Sequence, residues 1–176
     1  MRTPVALAWV LLVSAAVGCR TDQVVRPAAD PEPGIARTLA TEREARIADL
    51  RYELAFDIPE TQAAPIAGSA TLRFALKDRT TPLVLDFEPA ATHTKAVRVN
   101  GVEATWTAKN GHLVLPPDAL RDGANEVAVS FTAGDASLNR NPDFLYTLFV
   151  PARAHLAFPC FDQPSLKGRY ALQVTV

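Results

Sequence analysis

Histidine is scarce in this 176-residue chain, and none of the three, His93, His112 and His155, is followed by glutamate. A helical HExxH zinc site needs two histidines one turn apart with a glutamate base between them, so these residues cannot build one. Cysteine is scarcer still. With Cys19 at the end of a leader, Cys160 is left without a disulfide partner, and it reads as a small buried core residue and not as a reactive thiol. Excess charge is also missing: a net charge of −1 argues against general affinity for nucleic acid or acidic membranes. No internal repeat is evident. The one long apolar run, Val5 to Val13, is too short to span a membrane comfortably as a permanent helix.

A hydrophobic content of 48% is ample for a core, and the length left after a leader suggests one domain. Residues 1–19 have the charged, apolar and small-residue layout of a secretory signal, with Arg2 in front and Cys19 at the end. Ala16, Val17, Gly18 and Cys19 resemble a bacterial lipobox, although Leu is more usual where Ala16 stands. Cleavage before Cys19 would let its thiol carry lipid. Two or more acyl chains, at roughly 0.8 kcal/mol per buried methylene, would then hold the protein at a membrane surface of the bacterial cell envelope. The plainer reading is an ordinary signal peptide with an incidental cysteine. Residues 20–40 hold Pro27, Pro31, Pro33 and Gly34 with few large apolar residues, and they read as a tether. Thr41 is placed to cap a short helix over Glu42 to Ala48, with Glu42 and Glu44 near its positive end.

Residues 41–176 read as β structure after that helix. Tyr52, Leu54, Phe56 and Ile58 alternate with polar neighbours, and Ala70, Leu72, Phe74 and Leu76 repeat the pattern, which predicts two paired strands. Pro82 to Phe87 gives a third, whose run Leu83, Val84, Leu85 suits burial on both faces. Asn100-Gly101 and Asn110-Gly111 are type I′ hairpin signals, so Val97 to Trp106 and Thr105 to Leu115 are expected as linked hairpins sharing a central strand. Pro116, Pro117 and Asp118 break the sheet, Asp122-Gly123 turns, and Glu126 to Thr132 returns with Val127, Val129 and Phe131 on one side. Short strands with turn chemistry between them and little helix indicate an all-β domain, antiparallel and sandwich-like.

The stretch from Ser137 to Val176 stands apart. It carries six aromatic side chains (Phe144, Tyr146, Phe149, Phe158, Phe161, Tyr170) and four of the fourteen prolines, a composition that describes an ordered, partly buried segment. Asp162 is placed to cap the turn opened by Pro164, accepting from Ser165 or Leu166. Arg169 to Val176 alternates Tyr170, Leu172, Val174 and Val176 against polar positions, a half-buried strand. Stopping within such a run would leave an unpaired edge.

FPCFDQPSLKGRYALQV resembles the end of the N-terminal β-domain of M1 zinc aminopeptidases, the gluzincin family that includes aminopeptidase N, in which an FPCFD-x-P-x-x-K segment precedes the catalytic domain. SLNRNPDFLYTLFVPARA resembles one bacterial branch. The likeness covers roughly residues 45–176 and rests on Phe158, Pro159, Cys160, Phe161, Asp162, Pro164 and Lys167, a structural signature and not a catalytic one. It implies a β-sandwich, zinc in the intact family member but none in this chain, and a catalytic domain in cis or trans as partner. It also implies a glutamine that helps hold the substrate amine, but the matching position is Leu148 and the nearby acidic position is Val150. Neither can do that work, so the role is not carried over. His155 stands where relatives usually have arginine.

Two other groupings invite a site. His155, Cys160 and Asp162 match no zinc spacing, which favours a packed or solvent-facing histidine; His93 and His112, in or beside turns, read as surface residues. Arg140, Arg153, Lys167 and Arg169 form a loose basic grouping, read as a solvated face or a contact with a missing domain. The aromatic stretch Phe144 to Phe149 is expected near the junction with the catalytic domain. No catalytic residue is assigned, and the chain is expected to be inactive alone. The leading expectation is the non-catalytic N-terminal domain, or a fragment, of an exported M1 metallo-aminopeptidase, whose intact relatives remove N-terminal residues from peptides. The alternative is a free-standing cell-surface β-sandwich lipoprotein that binds protein or glycan.

Overall fold

The structure, a computed structural model, describes residues 30–176. The stretch expected as a leader, Cys19 and the first part of the expected tether lie outside the described residues. Among those described, helix α1 (Arg37–Arg46) is followed by β1 (Ile47–Asp57), β2 (Ala67–Leu76) and β3 (Leu83–Asp86). A four-residue helix α2 (Ala90–His93) comes next, then β4 (Thr94–Val99), β5 (Val102–Glu103), β6 (Thr107–Lys109), β7 (His112–Leu115) and β8 (Gly123–Thr132). The chain closes with β9 (Leu138–Arg140), β10 (Leu145–Thr147) and β11 (Arg169–Thr175). The strands form a six-stranded sheet in the order β11-β1-β2-β8-β4-β5, a three-stranded sheet β3-β7-β6 and a β9-β10 pair. The domain is all-β, as its alternating pattern predicts.

The alternation places the core. Tyr52 and Leu54 of β1, Leu72 and Phe74 of β2, and Val127 and Val129 of β8 are buried, and they share one hydrophobic cluster with Leu83 and Leu85 of β3 and Leu113 and Leu115 of β7. Phe131 meets Phe87 edge-on, with ring centroids 5.6 Å apart, which joins the two sheets. Both Asn-Gly turns form. Asn100 and Gly101 take φ of 52° and 83°, Asn110 and Gly111 of 48° and 79°, the paired positive values a type I′ turn needs. The hairpins do not share a central strand, however. β4 and β5 belong to the large sheet and β6 and β7 to the small one. Ala104 and Trp106 pack against the core between them, and anchoring there carries the chain from one layer to the other.

Two further expectations change. Helix α1 opens at Arg37, inside the stretch expected as tether, and Ala36 at its N-cap makes no side-chain bond. Thr41 therefore caps nothing, and Glu42 and Glu44 sit past the first turn. What docks the helix is arginine: its buried residues are Arg43 and Arg46. Arg46 ion-pairs with Glu42 and donates to the carbonyls of Asp78 and Thr81 at 3.1 and 3.0 Å, clasping the loop between β2 and β3. Strand β11 is the other difference. It pairs parallel to β1, Tyr52 abreast of Tyr170 and Leu54 of Leu172, and it is exposed along its whole length, not half-buried. Its alternation is real, but among the described residues no opposing layer covers it.

Candidate functional site

Arg43 is 1% exposed and points from α1 into the middle of the domain. Its guanidinium grips Asp86 at the end of β3 through both nitrogens, at 2.8 and 2.6 Å, and donates to the Val84 carbonyl at 2.7 Å. Such a two-pronged, charge-assisted pair is what lets two buried charges coexist. Asp86 accepts two more contacts, from His112 Nε2 at 3.2 Å and from the Asp162 amide at 2.8 Å. Burial on its own would raise the Asp86 pKa. The hydrogen bonds from His112 and Arg43, the Arg43 charge and the Asp162 amide outweigh it and hold the carboxyl below its usual range. Gln163 completes the node: its amide donates to the Ala40 carbonyl at 2.9 Å, and its carbonyl oxygen lies 3.4 Å from Arg43. The node thus ties α1, β3, β7 and residues 160–163 together.

The same segment borders an open region. Between the inner face of β1 and β11 on one side and the β9-β10 pair with Phe149 and Phe158 on the other lies an apolar trough of about 500 Å³. Leu54, Phe56, Leu138, Leu145, Leu172 and Val174 face it, and Asp162 is the one charged side chain on its wall. Phe149 packs edge-on against Phe158, with centroids 5.6 Å apart. The aromatic stretch therefore splits. Leu145 and Phe149 turn inward, while Phe144 and Tyr146 stack on each other outside, 61% and 52% exposed.

No family model matches the sequence. Solved structures do resemble the fold. Leukotriene A4 hydrolase from yeast, in complex with bestatin, matches with a TM-score of 0.63 at 20% identity over 74% of this chain and 23% of its own. An M1 zinc metallopeptidase from Deinococcus radiodurans matches with a TM-score of 0.60 at 16% identity over 73% of this chain and 32% of that one. A mutant of the Deinococcus enzyme bound to a Tyr-Ser-Ala substrate gives 0.57 at 18% identity. The fold is one that M1 zinc metallopeptidases carry. This chain spans between about a quarter and a third of their length.

In this M1-type fold the FPCFDQP signature is a strap. Cys160 bridges Asp86 through paired backbone hydrogen bonds of 2.8 and 3.0 Å. Its thiol is 1% exposed, and burial pushes its pKa well above the usual thiol range, so it is a core residue. The Phe161 amide donates to the Tyr52 hydroxyl at 3.0 Å, its ring meets Phe74 edge-on, and Arg43 lies 5.3 Å from the ring centroid. Phe158 and Pro159 are buried, whereas Pro164 and Lys167 are exposed. Asp162 caps no turn at Ser165 or Leu166. Its carboxylate turns back to His155 and accepts from the backbone amide at 3.1 Å and from Nδ1 at 2.7 Å. That bond, ahead of the cost of burial, raises the His155 pKa. Gly168 permits the next step, since a Cβ there would lie 2.8 Å from the Tyr52 ring.

Other expected site residues scatter. His112 is no surface residue: the Asn110-Gly111 turn delivers it into the node, 1% exposed. His93 is half-buried and bonds Thr92. The basic grouping does not act as one face. Arg140 donates to the carbonyls of Ala64 and Pro59 at 2.7 and 3.1 Å and Arg153 to Ala136 at 2.8 Å, while Lys167 and Arg169 are exposed. Leu148 and Val150 present apolar side chains to solvent. Among the described residues no three of His, Cys, Asp and Glu gather to hold a metal ion. His155 and Asp162 make a pair, and Asp86 and His112 another, the latter occupied by Arg43, so the donor set here does not fit zinc. Arg43, Asp86 and Gln163 gave no signal as site residues in the sequence. The one available clue was an acidic residue closing the apolar run Leu83 to Leu85.

Proposed function

We propose that this chain serves as the non-catalytic N-terminal β-domain of an exported M1 zinc metallo-aminopeptidase, held at the bacterial envelope by lipid on Cys19. The domain acts as a scaffold wall. Zinc and the peptide-cleaving chemistry belong to a portion carrying HExxH, joined in cis or supplied in trans. The observation that supports this most is the FPCFDQP strap, whose residues 160–163 are locked through Asp86 to α1 and β7 in an M1-type fold. The reading is tested by assaying the purified 176-residue chain for zinc and aminopeptidase turnover, then repeating both with the HExxH-encoding portion added. Neither is expected from the chain alone, and both are expected with the two together. Stoichiometric zinc with turnover in the chain alone would overturn it. Metabolic labelling with palmitate should mark the wild type and spare Cys19→Ser. The exposed trough favours one second reading, a free-standing surface lipoprotein that binds protein; adjoining DNA with a clean stop and no HExxH would support that instead.

A further inference from the structure

The edge of β11 is unfinished in two respects. The Thr175 carbonyl accepts from the Ile58 amide at 2.9 Å, so its backbone groups face β1. Backbone direction alternates along a strand, and the groups of Tyr170, Leu172 and Val174 therefore face outward, where the sheet order ends and no strand among the described residues receives them. Those same residues are 56%, 64% and 48% exposed and form one lip of the trough.

Charge is unbalanced at the same edge. Arg169 lies abreast of Arg51, and Arg51 abreast of Arg73, so three arginines run in one row across the solvent face of the sheet. Glu53 and Glu126 answer Arg73. Among the described residues no carboxylate reaches Arg51 or Arg169, and like charges abreast destabilise a sheet.

We infer that β11 is a docking edge for an extended acidic-apolar polypeptide strand. The strand adds to the open ladder, sets alternate apolar side chains over Leu172 and Val174 to close the trough, and places a carboxylate beside Arg169. It extends the β1-β11 ladder by one. An unpaired backbone edge selects polypeptide over lipid, because a second backbone presents a matching row of donors and acceptors and an acyl chain presents none. The charge row selects against a second copy: two β11 edges paired antiparallel about Leu172 would set Arg169 against uncharged Thr175. The inference deepens the proposed function by assigning the strand to the catalytic portion.

The test uses the full chain carrying a short peptide after Val176 on a Gly-Ser linker, which raises the local concentration. One peptide alternates valine and threonine with a glutamate at the outward position abreast of Arg169. A second has lysine there, and a third is the acidic peptide with its ladder amides methylated, attached by ligation. Amide hydrogen exchange at Leu172 and Val174 is the readout. The acidic peptide should slow exchange roughly tenfold or more, the lysine peptide less, and the methylated one not at all. Arg169→Glu, at an exposed position, should reverse the charge preference. Equal protection by the methylated peptide, no protection by any, or protection through self-association of the chain without peptide would each overturn the inference. Exchange is read without any catalytic assay, so a failure to restore aminopeptidase activity leaves this result standing.

Discussion

The two ends of residues 158–174 invert the usual rule that polar groups face water and apolar ones the core. At Cys160 to Gln163, polar and charged groups are largely buried, and nearly every one has a partner: Asp86 alone is held by Arg43, His112 and the Asp162 amide. At Tyr170 to Val174, apolar side chains that would suit a core stand in the open. The difference is whether a second layer arrives. Helix α1 brings Arg43 down onto β3, whereas nothing among the described residues crosses the face of β11. Burial of charge at one end is tolerated because Asp86 is matched by Arg43, His112 and the Asp162 amide, with only Arg43 Nε left unpartnered; at the other end the apolar surface stays exposed because no described residue covers it.

The sharpest way to break the comparison is Asp86→Ala. It strands Arg43 without its counter-ion and should cost about 3–5 kcal/mol in urea unfolding, while replacing both partners together, Arg43→Met with Asp86→Leu, should recover much of that loss. The same carboxylate predicts acid sensitivity. Its folded pKa is lowered, so its contribution is complete above the unfolded carboxylate value of about 3.9 and is lost as pH falls through the folded value. Unfolding followed from pH 6 downward should show this loss.

Next comes Tyr52→Phe, which removes the acceptor of the buried Phe161 amide and should cost about 1–3 kcal/mol in the same assay. A smaller effect belongs to His155. Its folded pKa is raised by Asp162, so its stabilisation is complete below the unfolded value of about 6.5 and fades as pH rises through the folded value. The urea midpoint of the wild type should fall over that range relative to His155→Asn. Smallest is Leu172→Ser, expected within about 0.5 kcal/mol because the side chain is already exposed. A large loss there would show that the trough is closed in solution.

Much of the strand pattern was legible because period-two alternation is a local property. Tyr52, Leu54, Leu72, Phe74, Val127 and Val129 all point where alternation puts them. The signature from Phe158 to Asp162 was legible as a unit but not in its work. Asp162 looked like a cap for the residues after it and instead reaches back to His155; His112, beside a glycine turn, looked exposed and is buried. Each misreading concerns a polar side chain whose partner lies outside the adjoining turn, seven residues back for Asp162 and on another strand for His112. Arg43 meets residues 43 and 120 positions away, and no spacing rule announces such a meeting.

Read alone, the chain determined its hairpin turns, the inward face of each central strand and the absence of an HExxH site, since each depends on neighbouring residues or on plain residue content. The tertiary structure alone decided that two arginines of α1 would be buried, that β11 would lie parallel to β1, and that its apolar face would stand uncovered. Those outcomes depend on which surfaces meet. A strand's sequence specifies which of its faces is apolar, but only the presence or absence of a packed neighbour determines whether that face is kept from water.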